Sequence, residues 1–236
     1  MRLWNGWGNE DSDLTMELSS GLSMLLEALV GTGTALPQAT LNDVISKVPN
    51  TRLENHPLII TDPETRVRHS RGQSLPDWLE MHSGNVDTFP DGVAFPESSE
   101  QVRELLAHAK ENNLVVIPYG GGTSVVGHIN PENTDKPILT IDMGKMNTMM
   151  SIDTTSQLAT FGAGTPGPIV EEELKKHGYT LGHFPQSWEL STLGGWVASR
   201  SSGQQSLHYG RIENMFAGGS IETFNGTMTI PTIPAS

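Results

Sequence analysis

The sequence predicts a mixed α+β fold, and three observations support this prediction. The chain has 25 glycines and 15 prolines among its 236 residues, which favours turns and loops over a helix bundle. From residue 89 onward, short β-branched runs alternate with an amphipathic helical pattern. Near the end of the chain, Asn225-Gly226 lies between two strand-like runs, which is a strong hairpin signal. We therefore expect two α/β subdomains behind a helical N-terminal part.

Residues 1–87 are predicted to form an N-terminal extension that is partly helical. Leucines at helical spacing predict a helix over residues 14–30. Thr40 is expected to cap a second short helix near residues 41–48. Ser74 has the sequence context of another N-cap, with a proline in the first turn and an acid three residues later.

Residues 88–236 are predicted to form the second unit, which begins with a strand, a helix and a strand. A short extended run at 89–96 is followed by Ser98, a candidate cap, and by an apolar stripe at helical spacing. Residues 114–118 are predicted to form a compact β-branched strand, and three glycines follow after Tyr119. This order is typical of an α/β unit that ends in a glycine loop.

Two further strands and one helix are predicted in the second half of this unit. The strands are expected at 138–142 and 158–163, where β-branched and apolar residues cluster. A helix is expected after Pro166, with acids in its first turns, bases at its end and Gly178 as its stop.

Composition excludes several classes of site and partner. The net charge of −13 disfavours nonspecific binding to nucleic acid, because polyanions are repelled. The chain has no cysteine, so it has neither disulfides nor cysteine metal sites, and no histidine cluster suggests a metal. No run of 18 apolar residues predicts a transmembrane segment, and the start lacks the pattern of a signal peptide. The expected location is cytoplasmic.

The glycine loop is the most informative segment. Glycines directly after a strand allow positive φ angles and close approach of the backbone to a ligand. Successive free N–H groups in such a turn form a concave anion site, to which two hydroxyl side chains add donors. The lysine of a Walker loop is absent, and the Rossmann glycine spacing is not met. A diphosphate fits such a loop, although a purely structural turn is an equally good interpretation of the glycines alone. The loop comprises Pro118, Tyr119, Gly120, Gly121, Gly122, Thr123, Ser124 and Val125.

A second segment, residues 182–203, is rich in small and hydroxyl side chains. Gly194-Gly195 is predicted to open a helix, and helix N-termini bind anions and polar ligand atoms. The alternative is a polar loop followed by an ordinary amphipathic helix.

Taken together, the two segments resemble the PCMH-type FAD-binding domain of the vanillyl-alcohol oxidase / p-cresol methylhydroxylase family. Within that family the chain is most similar to alkyldihydroxyacetonephosphate synthases and to bacterial FAD-linked oxidases of that kind. The resemblance covers roughly residues 65–236, and Trp4-Asn5-Gly6-Trp7-Gly8 also looks like bacterial members. The glycine loop alone is weakly specific, whereas the ordered set of motifs is strongly specific.

The resemblance implies a noncovalent FAD site with a role for each segment. Residues 118–124 would hold the diphosphate, residues 185–191 would lie along the flavin and its ribityl chain, and residues 199–202 would add contacts. In the second segment the implied cofactor-binding residues are Pro185, Gln186, Ser187, Trp188, Glu189, Leu190, Ser191, Thr192, Gly194, Gly195, Ser199, Arg200, Ser201 and Ser202.

Two positions depart from the family pattern. Gln186 stands where the family usually has an aspartate, so that contact would be made by a neutral amide. Thr123 stands where some relatives carry a histidine bonded covalently to the flavin, and FAD is therefore expected to be noncovalent.

The resemblance also implies that the catalytic groups lie outside this sequence. In the family, the FAD domain continues into a Gly-Ser-Glu-Gly segment and a cap domain that supplies the catalytic tyrosine and histidines. The chain is therefore expected to be an incomplete domain that is inactive alone, with unknown catalytic residues. His128, His183 and His208 are expected to be loop or packing residues, since none has a partner carboxylate at a meaningful spacing.

The leading functional prediction is FAD binding within an FAD-dependent oxidoreductase or an alkylglycerone-phosphate synthase-like enzyme of ether lipid precursor synthesis. Such an enzyme would take a small-molecule or lipid-like substrate, and a homodimer is left open. The alternatives are the FAD subunit of a 2-hydroxy-acid (lactate or glycolate) dehydrogenase and a non-catalytic fragment.

Overall fold

The computed structural model describes residues 2–10, 20–34 and 36–232 of the chain. The helices are α1 (Ser20–Val30), α2 (Leu41–Ile45), α3 (Pro63–Arg68), α4 (Leu75–Ser83), α5 (Ser99–Glu111), α6 (Gly167–Lys175), α7 (Leu193–Ser199), α8 (Ser206–Tyr209) and α9 (Ile212–Met215). The strands are β1 (Ile59–Ile60), β2 (Gly92–Ala94), β3 (Val115–Tyr119), β4 (Ile138–Asp142), β5 (Met149–Asp153), β6 (Leu158–Phe161), β7 (Gly219–Thr223) and β8 (Gly226–Ile230). A 3-10 turn at Met143–Lys145 follows β4.

The N-terminal helices begin where their caps predict. Thr40 and Asp43 form a capping box at the start of α2, and Ser74 and Asp77 form another at α4. Helix α4 ends at Gly84, whose φ of 71° is the left-handed conformation that glycine adopts readily. Of the helix predicted over residues 14–30, the described part is α1, and residues 14–19 lie outside the described ranges.

A four-stranded sheet of order β1-β2-β4-β3 contains the predicted strand–helix–strand unit. Strands β2, β4 and β3 are parallel, and β1 pairs antiparallel with β2. Helix α5 packs its apolar face on the sheet, so that Leu105 and Leu106 join Ala94, Leu139 and Ile141 in one buried cluster. The predicted strand–helix–strand unit is therefore present, and the glycine loop leaves the sheet at the carboxyl end of β3.

The remaining strands form two separate hairpins, β5–β6 and β7–β8. The predicted turn at Asn225-Gly226 joins β7 to β8, with φ of 114° at Gly226. The second hairpin rests on α5, where Arg103 Nη1 lies 2.8 Å from Glu222 Oε1. Within the described residues, no helix is long and apolar enough to cross a bilayer.

Several contacts cross the domain boundary predicted at residue 88. Arg52 binds both carboxylate oxygens of Asp91, with Nη2–Oδ2 and Nε–Oδ1 distances of 2.7 and 2.9 Å. Arg66 Nε donates to the Pro90 carbonyl oxygen at 2.6 Å, and strand β1 pairs with β2 across the same boundary. The division into 1–87 and 88–236 stays a prediction.

Candidate functional site

The glycine loop adopts a conformation that needs glycine. Gly122 has φ of 67°, in the left-handed region, and a Cβ placed there would overlap the hydroxyl group of Tyr119. The Tyr119 ring is buried, and burial raises the pKa of its hydroxyl to about 12, so this hydroxyl is protonated at neutral pH.

The structure brings the two predicted segments into direct contact. A Cβ on Gly120 would overlap the side-chain oxygen of Thr192. A Cβ on Gly121 would overlap the carbonyl oxygen of Leu190 and would lie 2.9 Å from the Cα of Ser191. The first two glycines therefore let the loop pack flush against residues 190–192, about 70 positions further along the chain.

Three consecutive main-chain donors in this loop have no acceptor among the described residues. The amides of Gly121, Gly122 and Thr123 donate to no acceptor within the part of the chain that the structure describes. Gly122 is buried, where a main-chain amide normally has a hydrogen-bond partner. Such a run of donors is the arrangement that binds phosphate oxygens, so the residues present fit a diphosphate.

The end of the loop is fixed by residues that precede the sheet. The Ser124 carbonyl oxygen accepts a hydrogen bond from the Gln73 amide at 2.6 Å. The Asn130 side chain accepts from the Gly72 amide at 3.1 Å and donates to Asp77 Oδ1 at 2.6 Å. Loop and N-terminal part are thus held in one hydrogen-bonded network.

The second segment is a compact turn that leads into α7. The amide of Trp188 donates to the Pro185 carbonyl at 2.9 Å, and that of Ser191 to the Ser187 carbonyl at 2.8 Å. The Ser191 hydroxyl accepts a hydrogen bond from Trp196 Nε1 at 2.6 Å, which fixes the turn to the helix.

A cavity of about 360 Å³ opens beside this turn. The rings of Phe184 and Trp188 lie on its wall with centroids 5.8 Å apart. Trp188 Nε1 is buried and has no hydrogen-bond partner among the residues described. Aromatic walls combined with amide side chains suit a planar heteroaromatic ring. The lining residues are Trp7, Phe184, Pro185, Gln186, Trp188, Glu189 and Gln204.

The amides at the start of α7 are already used by the protein. Gly194 donates to the Ala163 carbonyl at 2.8 Å, and Gly195 donates to Thr192 Oγ1 at 3.4 Å. A Cβ on Gly194 would lie 2.8 Å from the Cβ of Ala163, so this glycine permits close packing. A role for Gly194 and Gly195 in cofactor binding stays a prediction.

Of residues 199–202, Ser201 is hydrogen-bonded to a residue that precedes the turn, whereas Ser199 and Arg200 bind residues that follow it. Ser201 Oγ is hydrogen-bonded to His183 Nε2 at 3.1 Å, which joins the two parts of the segment. Ser199 Oγ donates to the Gly195 carbonyl at 2.8 Å, and Arg200 Nε donates to Glu213 at 2.8 Å on the surface. Ser202 is exposed.

The three histidines lie in loops or packed interiors. His183 is 1% exposed, packs edge-on against Trp196, and burial lowers its pKa, so the ring is neutral at pH 7. Its Nδ1 has no partner in the described ranges. His128 contacts Ser124, and His208 packs on Tyr209. Their lack of a catalytic role stays a prediction.

Two groups of residues near the site were not predicted from the sequence. His69 Nε2 lies 2.9 Å from Asp142 Oδ2, a pairing across 73 residues that no local spacing reveals. In the loop of residues 162–167, Gly167 packs against the turn, since a Cβ there would overlap the indole of Trp188. Three glycines directly after strand β6 were the available signal for this second loop.

Comparison with known proteins identifies the family. The family described as "FAD binding domain" matches residues 90–230. The chain belongs to this FAD-binding family. FAD is therefore the cofactor, and the fold is the PCMH-type fold that the sequence predicted.

Relatives of the FAD-binding chain are longer proteins. It is 40% identical over 169 residues to alkyldihydroxyacetonephosphate synthase of Dictyostelium discoideum, covering 72% of this chain and 28% of that protein. It is 33% identical over 179 residues to an uncharacterised FAD-linked oxidoreductase of Escherichia coli K12, covering 75% and 36%. A solved alkyldihydroxyacetonephosphate synthase superposes with a TM-score of 0.84 at 31% identity, covering 97% and 48%. The chain thus spans less than half the length of each.

Proposed function

We propose that the chain holds FAD noncovalently between the glycine loop and residues 185–202, as part of a flavoenzyme of the alkylglycerone-phosphate synthase type. The observation that supports this most strongly is the run of unused amides at Gly121, Gly122 and Thr123, directly beside residues 190–192. These amides bind the diphosphate, and the hydroxyls of Thr123 and Ser124 add donors.

Binding at this place relies on local dipoles and not on overall charge. The chain carries a net charge of −13, so a dianionic diphosphate is repelled at long range. Main-chain N–H groups at close range, in a partly buried loop, offset that repulsion because their dipoles are poorly screened by water.

The turn at residues 185–191 orients the flavin beside the cavity. Gln186 and Glu189 bring polar groups to the cavity wall, and Phe184 and Trp188 bring aromatic surface. When bound, FAD supplies the redox or electrophilic chemistry of the reaction, while the chain binds and orients it. Gln186 takes over the contact that an aspartate makes in the family pattern.

The substrate of the whole protein is proposed to be lipid-like, with ether lipid precursor synthesis as the reaction. Support comes from the relatives named alkyldihydroxyacetonephosphate synthase. General FAD-linked oxidoreduction is the coarser version of the same proposal, supported by the bacterial relative. A homodimer and a cytoplasmic location stay predictions.

Titration of the purified 236-residue chain with FAD tests the proposal. We expect saturable binding with one FAD per chain, and release of all flavin into the supernatant after acid precipitation, as noncovalent binding requires. A Gly33→Ala variant should bind FAD with unchanged affinity, because a Cβ there meets no atom within 4 Å. A folded chain that takes up no FAD would refute the proposal, and flavin retained in the acid pellet would refute its noncovalent part.

A further inference from the structure

The N-terminal loop, residues 2–10, is a closed turn that is attached to the domain. Arg2 and Asn9 form an antiparallel bridge, and the Leu3 amide donates to the Gly8 carbonyl at 3.0 Å. Arg68 fixes this loop to α3, since its Nη1 donates to the Arg2 carbonyl at 2.8 Å. The side chains of the loop therefore have defined positions.

Arg2 lies on the glycine loop. Its Nη1 donates to the Gly121 carbonyl oxygen at 2.5 Å, and its side chain is half-buried. No carboxylate forms an ion pair with Arg2 in the described ranges; the nearby Glu10 is paired with Arg68. A guanidinium on the loop that carries the three amides, with no ion-pair partner among the described residues, is complementary to an anionic ligand in a chain of strongly negative charge.

Trp7 belongs to the same turn and lines the cavity beside residues 184–189. It contributes a third aromatic side chain to a wall that already holds Phe184 and Trp188. One short loop thus contacts both the glycine loop, through Arg2, and the aromatic cavity, through Trp7.

We propose that residues 2–10 are a third FAD-binding element, in which Arg2 pairs with the diphosphate and Trp7 packs against one of the two ring systems of the cofactor. This inference rests on the proposed function. It assigns binding roles to residues that lie outside the stretch matched by the FAD-binding family, residues 90–230.

Arg2→Gln tests the ionic part, because glutamine retains a donor for Gly121 but has no charge. FAD affinity at low salt should fall about tenfold, the usual loss when a charge-assisted hydrogen bond becomes neutral. The dependence of FAD affinity on salt should also become weaker, since one screened ion pair is removed. The control Arg103→Gln, on α5 and paired with Glu222, should change neither quantity.

Trp7→Leu and Trp7→Phe test the ring contact. Leucine should weaken FAD binding roughly fivefold through the loss of aromatic packing, and phenylalanine should restore most of that affinity. If the ring is the isoalloxazine, bound flavin becomes brighter in both variants, because indole quenches flavin fluorescence by electron transfer. If it is adenine, fluorescence stays constant and ADP affinity falls in parallel with FAD affinity.

Trp4→Phe is the control for the integrity of the loop, since Trp4 packs against the cluster around Val44. It should leave FAD affinity and flavin fluorescence unchanged. Wild-type FAD binding together with unchanged affinity, salt dependence and fluorescence in the Arg2 and Trp7 variants would overturn this inference alone. A wild-type chain that does not bind FAD would instead overturn the proposed function, and this inference with it.

Discussion

At the scale of single residues, the three glycines satisfy two requirements at once. The sequence predicted that they bring the backbone close to a ligand, with a structural turn as the alternative. In the structure, side chains at Gly120 and Gly121 are excluded by residues 190–192, and one at Gly122 by Tyr119. The local sequence could not reveal those neighbours, because most of them are distant along the chain.

Gly121→Val is therefore expected to abolish FAD uptake and also to destabilise the apoprotein. The added Cβ overlaps the Leu190 carbonyl oxygen, so the loop and the turn must move apart. Overpacking of this kind costs roughly 2 kcal/mol in the free energy of unfolding. Calorimetric titration with FAD and urea denaturation of the apoprotein measure the two effects; wild-type affinity in the variant would contradict the assignment of this loop.

At the scale of elements, helix α5 was predictable from its helical period and its cap at Ser98, and strand β3 from its run of β-branched residues. Strand β1 was not, since it has two residues and exists through pairing with β2. The contact between the glycine loop and the turn at 185–192 depends on the folded sheet. The resemblance to a family predicted that both segments serve one cofactor, which local patterns could not do.

Asp91 joins the N-terminal part to the start of the sheet. Its carboxylate binds Arg52, and its Oδ2 accepts a hydrogen bond from the Ile138 amide at an N–O distance of 2.8 Å. Burial of Asp91 disfavours its charged form and by itself raises its pKa. The hydrogen bonds from Arg52 and the Ile138 amide, together with the positive charge of Arg52, have the larger effect, so the pKa of Asp91 lies below its usual value. The resulting stabilisation is present above the unfolded-state pKa near 4 and is lost as pH falls through the lower folded-state pKa.

Asp91→Asn is expected to lower the free energy of unfolding at pH 7 by roughly 2 kcal/mol, because the buried Asp91 loses its charge-assisted hydrogen bonds to the Ile138 amide and to the half-exposed Arg52. The variant should also lose less stability than the wild type as the pH falls from about 5 to about 3, because it has no carboxylate to protonate at this position. Urea denaturation at pH 7 measures the first effect, and urea denaturation between pH 5 and pH 3 measures the second. Glu97→Gln, which breaks an exposed pair with Lys145, is the control and should change little. Equal stability of Asp91→Asn and wild type at pH 7 would contradict the role given to this pair.

At the scale of the whole molecule, the fold class and the cofactor could be predicted from the sequence. The contacts that join residues 1–87 to the rest of the chain could not. From the sequence, residues 1–87 were predicted to be an N-terminal extension. In the structure this part supplies strand β1, the anchor of the glycine loop at Gln73 and a wall of the aromatic cavity at Trp7. These are long-range contacts, and their geometry exists only in the assembled fold.

FAD should stabilise the whole chain by mass action. At a free FAD concentration about 100 times the Kd, the free energy of unfolding should rise by about 2.7 kcal/mol, because only the folded chain offers the assembled site. Thermal unfolding at increasing FAD concentrations measures this, with FAD affinity determined separately. A Tm that does not respond to saturating FAD would mean that the unfolded chain binds it equally well, which is incompatible with a site built from two distant segments.

A crystal structure of the chain bound to FAD would show where the diphosphate lies. We expect the diphosphate oxygens within hydrogen-bond distance, about 2.7–3.2 Å, of the amide nitrogens of Gly121, Gly122 and Thr123. A diphosphate bound elsewhere, with these three amides still without an acceptor, would contradict the account.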